Sequence, residues 1–197
     1  VVIEWLNGNA VARNAAGEVV EATWSNGRTG MIGKSYDGTL ANGVAATGVE
    51  GLETIVPISA ISSWYDYNRY QNAVKSNNYP SSLSTTIAQR RTVPTNCVAA
   101  NAFMNANDGD ETGAYTDFWA ERDYREGSFY DVSKVKASVF IMHGLQDNNV
   151  RMRNASTWWE HLGEAGVDRK TWLTRLGHVE PFDSDRGRWV DTLHRWL

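Results

Sequence analysis

Four short apolar runs punctuate the chain, and each ends at a glycine or a polar turn. Thr29–Ile32 closes at Gly33, Leu52–Ile58 (L-E-T-I-V-P-I) at Ser59, Ser138–His143 (S-V-F-I-M-H) at Gly144, and Thr171–Leu176 at Gly177. Runs of this length without strict alternation predict strands buried on both faces, as in a parallel sheet. Helical patterns lie between them: Leu40–Thr47, rich in small residues, with Gly48 placed to cap it; Asn154–Ala165; and the amphipathic Arg186–Leu197. Upstream, Val1–Leu6 reads as the end of a helix and Val19–Trp24 as a short strand, turned by Ser25-Asn26-Gly27.

From Ser59 to about Val132 the alternation of strand and helix breaks. The stretch holds Trp64, Tyr65, Tyr67, Tyr79, Phe103, Phe118 and Trp119 among many Asn, Ser and Asp. A long insertion between two strands of an α/β sheet is a usual place for a cap over a site. The expected organisation is a core of residues 1–58 and 133–197 interrupted by a helical cap insertion, 59–132. Its class is α/β with a mostly parallel sheet.

Composition narrows the function. At 197 residues, 42% of them hydrophobic, the chain fits one domain with a sizeable core. A net charge of -4 and a pI near 5.6 argue against a dedicated nucleic-acid binder. No run approaches the roughly 18 apolar residues of a membrane span. Cys97 is the single cysteine, so no intrachain disulfide and no cysteine metal cluster are expected. Nine Trp is a high share, and the chain opens at Val-Val-Ile and closes on Trp196-Leu197 within an apolar helical pattern. Both ends look cut. The expectation is a fragment lacking the first strands of its fold, whose partner is the remainder of its own parent chain or a second copy. The compartment stays open between cytoplasm and secretion.

The chemistry gathers at three strand ends. Gly33-Lys34-Ser35-Tyr36-Asp37-Gly38 follows directly on a strand and opens a helix, the context of a nucleophile elbow. The helix N-terminus then faces the serine, and the Tyr36 N–H is placed to donate to an oxyanion. The pattern departs from G-x-S-x-G, because Asp37 stands at the second Gly and Gly38 follows one later. The alternative is a plain Ser and Gly turn. Asp147, in His143-Gly144-Leu145-Gln146-Asp147, comes 112 residues after Ser35, and His178 a further 31 on. That is the order Ser, Asp, His, and the strand ends of a parallel sheet share one edge where the three side chains can meet. A serine needs a base to take its proton, and the base needs an anion to hold its tautomer. His143 reads as a structural hydrogen-bonder, and His161 and His194 fall on helices. The acidic run 107–111 lacks a calcium loop's spacing and reads as solvated.

The motifs G-M-I-G-K-S-Y-D-G-T-L, I-S-S-W-Y-D-Y, H-G-L-Q-D-N-N-V and G-H resemble the catalytic domain of X-prolyl dipeptidyl aminopeptidases, relatives of cocaine esterase and α-amino acid ester hydrolases. The resemblance runs from about Ile3 to the C-terminus and is weak between about Val74 and Arg125. It implies an α/β-hydrolase fold and a serine exopeptidase acting on peptides with proline in second position. It also implies the triad Ser35, Asp147 and His178, no cofactor and no metal, and no nucleic-acid or membrane partner. Tyr36, Trp64, Tyr67 and Val150 would enclose the proline ring; for Trp64 and Tyr67 the alternative is cap packing. Two departures stand out. The family's second oxyanion donor lies upstream of this sequence, and its amine-binding glutamate has no counterpart in Asn77-Asn78-Tyr79-Pro80-Ser81-Ser82. Asp108, Asp110, Glu111 or Asp117 are the candidates to replace it. Competing functions are an esterase or acylase on the same scaffold, and a non-catalytic piece of a larger hydrolase.

Overall fold

The computed structural model describes residues 1–70, 73–76, 78–93, 96–127, 129–178 and 182–197, with the side chains of 70 and 182–185 left aside. Four parallel strands form the sheet in chain order: β1 (Thr29–Lys34), β2 (Leu52–Ile58), β3 (Ser138–Gly144) and β4 (Arg169–Thr174). Register pairs Lys34 with Ile58, Ile58 with Met142, and Gly144 with Thr174, so the strand ends line one edge.

Both faces of the inner strands are covered, which explains their uninterrupted apolar runs. On one face Ile55, Val139 and Ile141 pack with Ala41 and Ala45 of α1 (Tyr36–Ala45). Val56, Phe140 and Met142 face the opposite way. Between β2 and β3 come α2 (Trp64–Asn68), α3 (Tyr79–Gln89), α4 (Val98–Asn107) and α5 (Asp117–Ala120). Then α6 (Arg153–Glu164) adds Trp158 and Leu162 to the first face, and α7 (Phe182–Trp196) lays Trp189 on Val56, Phe140 and Met142. Among the described residues no helix is long and apolar enough to cross a membrane.

Several boundaries differ from the sequence expectation. Only Val19–Val20 of the expected Val19–Trp24 strand is extended, in a two-residue ladder with Ala12–Arg13, and Trp24 is largely exposed. Alternation alone gives these residues no face to bury. The first long helix begins at Tyr36 rather than Leu40. Gly38, a poor helix former, sits in its first turn because a Cβ there would lie 2.6 Å from the Gly33 carbonyl oxygen. Asp37 points to solvent, so the close approach of helix to strand is met at Gly38, one residue later than in G-x-S-x-G. Strand β4 lies two residues earlier than expected, because Leu176 and Gly177 are drawn against Gly144.

The acidic run is not a solvated loop. Asp108 is buried, and its carbonyl oxygen accepts from Arg69 Nη2 at 2.8 Å and from Trp119 Nε1 at 2.7 Å. Asp110 pairs with Arg69 at 2.8 Å and accepts from the Asn78 amide at 2.6 Å. Burial pushes the Asp108 carboxyl above its ordinary pKa, with the neighbouring Asp110 charge adding to the shift. A cation distant in sequence, Arg69, closed this loop, and no local pattern carried that information.

Candidate active site

The loop after β1 turns at Ser35, whose φ of 56° lies in the left-handed region. Such strain in a non-glycine residue persists only when its surroundings fix it. Here the Ser35 amide donates to Ile58 O at 2.8 Å, and its carbonyl accepts from Thr39 N at 2.9 Å and Thr39 Oγ1 at 2.8 Å. Thr39 Oγ1 in turn accepts from Ile61 N at 3.0 Å. The elbow is thus pinned to the end of β2. Ser35 is the N-cap of α1, and Tyr36 is the first helical residue, so its amide is one of the N-terminal donors with no intrahelical partner.

The loop after β3 is closed around Asp147. Its Oδ1 accepts from Asn149 N at 3.0 Å and Val150 N at 2.9 Å, and its Oδ2 accepts from His178 Nδ1 at 2.7 Å. Burial would raise the carboxyl's pKa, but the His178 hydrogen bond and charge and the Val150 amide hold it below the ordinary carboxylate value. With the Nδ1 proton held by Asp147, the Nε2 lone pair of His178 is left for a proton. Among the described residues the His178 ring is hydrogen-bonded to Asp147, and it shares no hydrogen bond with the Ser35 hydroxyl.

Gly144 lets the histidine loop reach this position. A Cβ there would collide with the carbonyl oxygens of Leu176 and Gly177, and Gln146 N donates to Leu176 O at 3.0 Å. His143 is buried with Nε2 at 2.7 Å from Val150 O. Burial lowers its pKa, so it stays neutral and donates to that carbonyl, bracing the Asp147 loop.

The four residues expected to form an apolar pocket are contiguous. The Trp64 ring meets Tyr36 edge-on at 6.0 Å and Tyr67 at 5.9 Å. Tyr67 and Val150 are buried together with Ile61. Sequence reasoning missed three neighbours. Tyr79 lies 3.0 Å from Tyr67 between hydroxyls, Asn149 Oδ1 accepts from Tyr67 at 3.1 Å, and Lys75 Nζ rests over the Tyr67 and Tyr79 rings at 4.2 and 4.6 Å. Burial and the Tyr79 hydroxyl raise the Tyr67 pKa, keeping the phenol protonated. Asn149 and Tyr79 stand within the quoted H-G-L-Q-D-N-N-V and the 77–82 segment, which was the available signal. Asn77 itself lies outside the described residues.

Asp66, in the middle of W-Y-D-Y, is held by Arg125 at 2.8 Å and Arg153 at 3.0 Å, and Arg125 also grips Asp123 at 2.6 Å. This network, buried except at Arg153, ties α2 to the segment before β3 and to α6. Tyr124, between Asp123 and Arg125, accepts from Trp64 Nε1 at 3.0 Å and so fixes the indole plane. Among the described residues no group of three or more His, Cys, Asp or Glu is placed to hold a metal ion.

A strained serine elbow, a carboxylate–histidine pair and a four-stranded parallel sheet define an α/β-hydrolase. An acylaminoacyl peptidase bound to Z-Gly-Gly-Phe-chloromethyl ketone shares this fold. It has a TM-score of 0.56 at 14% identity, over 86% of this chain and 23% of that one. The sequence profile described as X-Pro dipeptidyl-peptidase (S15 family) matches residues 1–180, and the chain belongs to that family. A Streptomyces avermitilis protein provisionally named Xaa-Pro dipeptidyl-peptidase is 52% identical over 199 residues, and a Bacillus cereus protein with the same provisional name is 45% identical over 200. Both cover all of this chain, which spans 28% and 33% of their lengths.

Proposed function

We propose that this chain carries the nucleophile, acid and base of a serine exopeptidase that releases Xaa-Pro dipeptides from peptide N-termini, with residues 59–132 as the cap over the site. Family membership supports the reaction. The single observation that carries the residue roles is the 2.7 Å contact of His178 Nδ1 with Asp147 Oδ2 at the sheet edge that also bears the Ser35 elbow. His178 Nε2 takes the Ser35 proton as Oγ attacks the carbonyl carbon of the proline residue. The Tyr36 N–H donates to the resulting oxyanion. Collapse breaks the C–N bond, and the imidazolium gives its proton to the leaving amine. Water, deprotonated by the same ring, then cleaves the acyl-enzyme and restores Ser35.

A second reading, an esterase or acylase, draws on Lys75. Its ammonium lies at the Tyr67–Tyr79 pair, and Asp110 is already matched by Arg69, so the charge beside the pocket is positive where a free amine needs a carboxylate. Three substrates separate the readings when offered to the full-length protein: an Xaa-Pro-anilide, its N-blocked form and a simple acyl ester. Turnover of the free anilide and not the blocked one supports the exopeptidase. Turnover of the ester alone supports the second reading, and turnover of none supports a non-catalytic chain.

A further inference from the structure

A cleft of about 360 Å³ shares Tyr36 and Trp64 with the pocket assigned to proline but is not lined by Tyr67 or Val150. That size falls in the range of roughly 300–1,000 Å³ typical of ligand sites. Its floor is Leu40 of α1, one turn beyond the elbow. Its outer wall is one face of α3, where Pro80, Leu83, Ser84 and Ile87 follow the i, i+3, i+4, i+7 spacing, with Met104 of α4 beside them. That face is turned to the cleft, and Leu83 also packs against the Ile61–Tyr67–Val150 cluster, so the two pockets share this wall.

Three polar atoms of the aromatic walls are already used, those of Trp64, Trp119 and Tyr124. Trp119 Nε1 donates to Asp108 O at 2.7 Å, and Tyr124 Oη accepts from Trp64 Nε1 at 3.0 Å. Burial pushes the Tyr124 phenol up to about 12, so it stays neutral. What remains is a mainly apolar surface with a flexible thioether, suited to a ring or a branched chain, with Asn68, Ser84 and Arg122 as its polar members.

We propose that this cleft is the subsite for the residue following the scissile bond and that it takes a large apolar side chain. The inference rests on the reading of Ser35 as nucleophile and of the Tyr67–Val150 pocket as the proline site. With proline on the Tyr67 side of Trp64, the adjoining apolar surface for the leaving residue is this cleft, which Tyr36 joins directly to the nucleophile.

The test uses the full-length protein. Ala-Pro-Phe-amide should exceed Ala-Pro-Gly-amide in kcat/KM by ~10- to 100-fold, the scale of burying one large apolar side chain. Leu40→Asp, at a half-exposed position, and Met104→Asp on the facing helix should each bring the pair toward parity. Parity in the unsubstituted enzyme, or an unchanged preference in both variants, overturns the proposal. A second arm needs no hydrolysis. Phenylalaninamide, and not glycinamide, should change the tryptophan fluorescence of the Ser35→Ala protein saturably, and Leu40→Asp should abolish that change. If no Xaa-Pro substrate is turned over, the exopeptidase reading fails while this titration still decides the cleft, and absence of saturable binding overturns it.

Discussion

The inner and outer strands of the sheet obey different rules. β2 and β3 are closed on both faces: Ile55 and Phe140 are fully buried, the first under α1 and α6, the second between Trp189 and Trp196 of α7. β1 and β4 are at the margins, and Ile32 is 55% exposed and Leu173 44%. Yet the proposed nucleophile hangs from β1 and the proposed base follows β4, while only the proposed acid follows an inner strand. The fold is therefore held mainly at the centre, and the proposed chemistry is drawn from both margins toward it. Margin residues reach their places through backbone contacts such as Ser35 N to Ile58 O and Gln146 N to Leu176 O.

The sharpest way to separate chemistry from stability is Asp147→Asn. The amide keeps an acceptor for the Asn149 and Val150 N–H groups but no longer holds the His178 tautomer. We expect kcat on the preferred substrate to fall by about 10⁴-fold in the full-length protein. Thermal unfolding should show that the fold survives.

Arg125→Met probes the network that steadies the W-Y-D-Y helix. It leaves Asp66 and Asp123 buried without their shared cation, at a cost of about 3–5 kcal/mol. Arg125 outweighs burial and holds the Asp123 carboxyl below its ordinary value. A depressed carboxyl stabilises the fold above its unfolded pKa and loses that contribution as pH falls through the folded value. Chemical denaturation should therefore show the variant's deficit at neutral pH, shrinking as acid protonates Asp123.

At the centre, Phe140→Ala should cost about 3–5 kcal/mol through a cavity between two indoles. At the margin, Ile32→Ala in this chain should stay within about 0.5 kcal/mol. Repeating Ile32→Ala in the full-length protein sharpens the contrast. A cost there of more than about 1 kcal/mol means that further chain covers β1.

How much of this was legible follows the same division. The inner runs 52–58 and 138–143 were readable because burial on both faces writes itself as continuous apolar sequence. The elbow's turn was readable because Gly33 and Gly38 are required where helix and strand approach, on either side of Ser35. The helix start at Tyr36 was not, because Gly38 serves a contact with Gly33 rather than helix propensity. Arg69, Arg125 and Lys75 escaped notice for a different reason. Asp110 lies 41 residues from Arg69 and Asp66 lies 59 from Arg125, while Lys75 meets two rings, 8 and 4 residues away, that only the folded chain brings side by side.

The central claim is that Ser35 is the nucleophile, and covalent labelling tests it most directly. A fluorophosphonate offered to the full-length protein should form one adduct, located on Ser35 by peptide mass mapping. Ser35→Ala should lose the adduct while keeping its thermal unfolding midpoint. Equal labelling of the variant, or an adduct on another residue, contradicts the account.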